Sequence, residues 1–74
     1  MIKRDQITEE SVLRRIEVAI QNDATYLNLS YCNLIKIPVE ITQLGNLTSL
    51  DLSGNQINSI TEIGQLTNLT LLDL

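Results

Sequence analysis

The chain has 74 residues, a formal net charge of −4, one cysteine and no histidine. That length allows at most one small domain; the single thiol excludes an intrachain disulfide, and without imidazole the usual zinc ligand sets are missing, so no metal or cofactor is expected. Only five residues are Lys or Arg, which argues against a nucleic-acid binder, and no stretch approaches the roughly eighteen apolar residues of a membrane span. No apolar segment follows "MIKRDQITEES", so the expected location is cytoplasmic. The Asn-x-Ser/Thr triplets at Asn28, Asn46 and Asn68 are then expected to be by-products of the pattern described below and not glycosylation sites. Two tyrosines are the only aromatic residues, so the interior must be built from branched aliphatic side chains.

Residues 1–23 read as one amphipathic helix. Thr8 followed by Glu9 and Glu10 is a plausible N-cap, and Val12, Leu13, Ile16, Ala19 and Ile20 recur at helical spacing. Glu10 stands four residues before Arg14, the favourable order, and Glu17 lies within reach of Arg14, so these charges dress a solvent face. Asn22 and Asp23 then turn the chain toward its first strand.

From Ala24 onward the chain repeats itself. Residues 24–46, 47–68 and the partial 69–74 align so that Ala24, Leu47 and Leu69 open each unit. Leu27, Leu50 and Leu72 come three places later, and Leu29, Leu52 and Leu74 five places later. Cys32 shares the ninth place with Asn55, Leu34 the eleventh with Ile57, and Ile37 the fourteenth with Ile60; Ile41, Leu44, Ile63 and Leu66 close the units. In isolation, "LTSLDLSGNQI" reads as a strand running into a Gly54-Asn55 hairpin turn. The recurrence of "LTLLDL" in phase one unit later overrides that reading and predicts parallel strands instead.

These residues resemble the leucine-rich repeat, whose signature is L-x-x-L-x-L-x-x-N/C-x-L. The second unit matches every place with Ile57 accepted for the last leucine, and the first departs only at Ala24. The "KIPVEI" segment resembles the 23-residue class common in bacterial proteins, and the second unit resembles the 22-residue class. The opening "RRIEVAIQNDATYLNLSYCNLIKIPVEI" also resembles the start of repeat arrays in cyanobacterial multidomain proteins of the Roco type. Nothing resembles the GTPase found in those proteins, because no phosphate-binding G-x-x-x-x-G-K-S/T loop is present.

The resemblance implies an α/β fold: a leucine-rich-repeat solenoid with short parallel strands and an N-terminal capping helix. The capping helix occupies residues 1–23, because the first coil of a repeat stack has an open apolar end. Asn55 is expected to bond backbone groups of its own turn and the neighbouring one, a task a thiol performs poorly, so Cys32 suits an end coil and a buried, inert position.

No catalytic constellation competes with these structural readings, and the expected activity is non-enzymatic. Strand alternation places Tyr26, Asn28, Ser30, Tyr31, Ser49, Asp51, Ser53, Leu71 and Asp73 on one exposed face. The family implies a concave surface for protein partners there, with Tyr26, Tyr31 and Leu71 as anchors. Packing of either tyrosine under the capping helix is the competing reading. Asp51 and Asp73 share a phase after Asn28, which makes them either a solvated stripe or an acidic ladder for a basic partner or a cation.

The chain stops at Leu74 within a strand, so Leu66, Leu69, Leu72 and Leu74 are expected to be covered by nothing. The leading expectation is a protein-interaction module, or a truncated one, that self-associates as a homo-oligomer through residues 60–74. The alternative is the sensor or regulatory end of a larger bacterial GTPase or kinase. A purely structural peptide is the third.

Overall fold

The computed structural model describes residues 9–74, so the Thr8 cap lies outside the described residues. Helix α1 spans Glu9–Gln21 and is followed by three three-residue strands, β1 (Tyr26–Asn28), β2 (Ser49–Asp51) and β3 (Leu71–Asp73). Single 3-10 turns at Val39–Gln43 and Thr61–Gln65 return the chain between strands. The sheet order is β1-β2-β3, all parallel. The hairpin reading of Gly54-Asn55 therefore fails: β2 pairs with β3, one full unit later.

Register follows phase. Tyr26 pairs with Ser49 and Ser49 with Leu71; Leu27, Leu50 and Leu72 form the next row, and Asn28, Asp51 and Asp73 the third. Leu27 and Leu50 point inward and are buried, as are Leu29, Leu44, Leu47, Leu52, Ile37 and Ile41. Successive coils are also tied by side chains: Thr48 Oγ1 donates to Thr25 O (3.1 Å), Thr70 Oγ1 to Thr48 O (3.2 Å), and Asn68 Nδ2 to Gly45 O (2.8 Å). Asn46 Nδ2 donates to Asp23 Oδ1 at 2.8 Å. Two of the three triplet asparagines thus spend their amides on coil-to-coil bonds.

Helix α1 lies against the first coil. Val12, Ile16 and Ala19 are buried in the same core as Leu27, Leu29, Cys32 and Ile37, while Leu13 and Ile20 are half-buried. Its outer face carries the Glu10–Arg14 pair at 3.7 Å, with both side chains well exposed, so its contribution is small. The expected Arg14–Glu17 contact does not form among the described residues. The helix ends in a Schellman-type arrangement: Ala24 N donates to Ala19 O (3.0 Å) and Asp23 N to Ile20 O (3.2 Å), with Asp23 left-handed at φ 54°.

Three of the four leucines expected to be covered by nothing are covered. Leu66 is buried, and Leu69 and Leu72 are partly buried against the core, because β3 pairs with β2 and continues the stack. Leu74 is exposed. The open surface lies further round the coil: Ile37 is 2% exposed, whereas Ile60, at the same phase one coil later, is 49% exposed.

Candidate interaction face

The exposed side of the sheet is built by strand alternation. With Leu27, Leu50 and Leu72 turned inward, the flanking residues of each strand must point out. Tyr26 is 54% exposed, Leu71 62% and Tyr31 73%, so neither tyrosine packs under α1. Asn28 and Asp73 are exposed, while Ser49 and Asp51 are half-buried between their neighbours. The register brings Tyr26, Ser49 and Leu71 into one row and Asn28, Asp51 and Asp73 into the adjacent one.

Below the strands, Asn55 holds two coils together. Its Oδ1 accepts from Cys32 N (2.9 Å) and Leu34 N (3.0 Å) of the first coil. Its Nδ2 donates to Leu29 O of the first coil and Leu52 O of its own, both at 2.9 Å, with a longer contact to Ser53 O at 3.4 Å. Cys32, at the same phase, makes only the analogue of that longest contact, Sγ to Ser30 O at 3.4 Å, and accepts from Arg15 Nη1 at 3.5 Å. In the first coil, α1 stands where an earlier coil would be, so a small buried thiol suffices.

Two features of the face are not evident from the leucine pattern. Asn28 Oδ1 accepts from Ser30 N (2.9 Å) and Ser30 Oγ (2.6 Å); Asp51 Oδ1 accepts from Ser53 N (3.0 Å) and Ser53 Oγ (2.7 Å). The shared "N/D-L-S" at one phase was the available sign of these local turns. Tyr31 and Gly54 also share a phase, the eighth, and both are left-handed, at φ 53° and 74°. Glycine adopts that conformation freely, tyrosine at a cost. The Tyr31 ring lies against Gly54, where an added Cβ would overlap it.

The Ser53 hydroxyl, then the Ser53 amide, hold the Asp51 carboxyl below its ordinary 3.8, outweighing a small opposing effect of burial. A depressed folded value means the stabilisation is complete above the ordinary value and disappears as pH falls through the lower one. Asp51→Asn keeps an acceptor for Ser53, as Asn28 does in the first coil, and removes this titration. Thermal midpoints measured from about pH 5 down to about pH 2 should therefore fall less steeply for the variant than for the parent. Parallel curves would mean that the Ser53 bonds contribute nothing to the acid limb.

Among the described residues no group of His, Cys, Asp and Glu is arranged to hold a metal ion, and no helix is long and apolar enough to cross a membrane. A groove bordered by Arg14, Arg15, Val18, Leu27 and Asn28 separates α1 from the outer edge of β1.

A model of the family described as "Leucine rich repeat" matches residues 23–74. The TMV resistance protein N of Nicotiana glutinosa is 50% identical over 54 residues, an alignment that covers 65% of this chain. It spans 5% of that relative's own length. No solved structure matches the chain.

Proposed function

Because the chain belongs to the leucine-rich repeat family, we propose that it is a non-enzymatic protein-interaction module that meets its partner with the exposed side of the β1-β2-β3 sheet. The register carries this reading: it gathers Tyr26, Asn28, Ser49, Asp51, Leu71 and Asp73 into two adjacent rows, with Tyr31 at their margin. Tyrosine offers large contact area at low entropic cost, and Tyr26, Tyr31 and Leu71 are the anchors. The coils are the start of a solenoid, with α1 as its cap. A single buried thiol and no disulfide suit a reducing, cytoplasmic setting. The triple variant Tyr26→Ala, Tyr31→Ala, Leu71→Ser should abolish capture of the partner in affinity purification. Ile35→Ser with Val39→Ser, exposed residues on the far side of the first coil, should leave capture intact. Loss with the second variant and retention with the first would refute the assignment of the face.

Self-association through the last strand is the second part of the proposal. Leu69, Leu72 and Leu74 offer apolar surface at and beside β3, and Leu66 is buried and takes no part. A second copy covers this surface, with the two β3 strands pairing antiparallel about a two-fold axis. Head-to-tail stacking is disfavoured because the outer face of α1 presents Glu10, Arg14, Arg15 and Glu17. Sedimentation should show a dimer that Leu72→Asp with Leu74→Asp converts to monomer. A parent chain that stays monomeric at all micromolar concentrations would refute it.

A second reading is the sensor or regulatory part of a larger bacterial GTPase- or kinase-linked protein, and the 5% share of the resistance protein that the alignment spans supports only the larger-protein part of it. Reading the coding sequence beyond Leu74 distinguishes the two.

A further inference from the structure

Resting on the strand-face reading above, we propose that the partner presents a short basic segment whose Lys or Arg side chains lie over β2 and β3. Two independent properties of the face select that chemistry. The first is aromatic: the Tyr31 ring has one side on Gly54 and the rest of its surface in solvent, with Tyr26 exposed on the same side of the sheet. A ring backed by the protein on one face and bare on the other is suited to receive a cation within about 6 Å of its centre. Leu71, also exposed, supplies apolar surface for the methylene stem of such a side chain.

The second is the charge distribution. Asp51 and Asp73 are register partners on adjacent strands, about 4.8 Å apart. Asp51 gives one carboxylate oxygen to Ser53, which leaves the other for a partner. The cations among the described residues lie elsewhere: Arg14 and Arg15 on α1, beside Asn28, and Lys36 in the first coil, away from the strands. Arg14 is moreover paired with Glu10. The face is therefore negative over β2 and β3, with no cation of its own there among the described residues. A segment of about three extended residues spans the three strands.

The test uses three peptides, otherwise identical, in which leucine alternates with lysine, with glutamate or with serine. Each is titrated into the isotopically labelled chain at low salt and followed by NMR. The lysine peptide alone should shift the amides of Ser49, Asp51, Leu71 and Asp73 and the ring signals of Tyr26 and Tyr31. Asp51→Asn with Asp73→Asn should weaken it by about tenfold, and added salt should weaken it further. Equal binding of the serine or glutamate peptide at these residues would overturn the basic-partner inference and leave the strand face standing as an interaction surface. Lysine-peptide shifts confined to other surfaces, or no shifts with any peptide, would overturn both. An unchanged affinity in the double variant would overturn the inference alone.

Discussion

Asn55→Ala is expected to remove about 3–5 kcal/mol of folding stability, a large share of what a domain this small possesses. The substitution strips the partner from four backbone groups at once, Cys32 N, Leu34 N, Leu29 O and Leu52 O. Each left unsatisfied costs about 1–3 kcal/mol, lowered here by partial access to water. Asn55→Asp should fare nearly as badly at neutral pH. It keeps an acceptor for the two amides, but it replaces the donor with an anionic oxygen facing the Leu29 and Leu52 carbonyls. Cys32→Ala, at the same phase, should cost only about 1 kcal/mol, since the thiol makes two long contacts and fills a small volume. Urea unfolding of the three variants checks the ranking. A Cys32→Ala loss equal to that of Asn55→Ala would show that the coil-to-coil bonds are not what distinguishes the two positions.

Gly54→Ala should cost about 2–5 kcal/mol, although the residue is exposed. A left-handed φ of 74° is disfavoured for alanine by about 1–2 kcal/mol, and the new Cβ would overlap the Tyr31 ring, adding about 1–3 kcal/mol of overpacking. The two parts separate in a double-mutant cycle. With Tyr31→Gly as background, the overlap is gone and the Gly54→Ala cost should fall to about 1–2 kcal/mol. Tyr31→Gly alone should change stability little, because it relieves the backbone strain at φ 53° while losing the ring's contact with Gly54. A near-neutral result would fit a tyrosine that serves through its exposed ring and not through folding. An identical Gly54→Ala cost in both backgrounds would break this account of the pair.

How far the molecule can be read from its sequence depends on which forces act at each position. The aliphatic phases were legible because burial is periodic: Leu27, Leu50 and Leu72 occupy one row in the sheet as they do in the alignment. Asn55 was legible because stacking parallel coils creates a known polar demand that only an amide can meet at both ends. The burial of Leu66 was not, because it depends on the short final segment pairing with β2 and packing Leu69 and Leu72 against the core. Nor was the shared left-handed backbone of Tyr31 and Gly54, since a tyrosine gives no hint of positive φ and only comparison with the glycine one coil later suggests it. Exposure of the two tyrosines likewise turned on the placement of α1, which periodicity leaves open. The single turns at Val39–Gln43 and Thr61–Gln65 carry no helical period, being too short to express one.

Every functional statement above depends on one arrangement, the parallel stacking that places Asn28, Asp51 and Asp73 side by side on an exposed face. Cross-strand NOEs measure it directly. Contacts between the backbone protons of Leu27 and Leu50 and of Leu50 and Leu72, in parallel order, are the predicted result. Contacts joining residues 48–53 to residues 56–60 across Gly54-Asn55, in antiparallel order, would contradict it and dissolve the face.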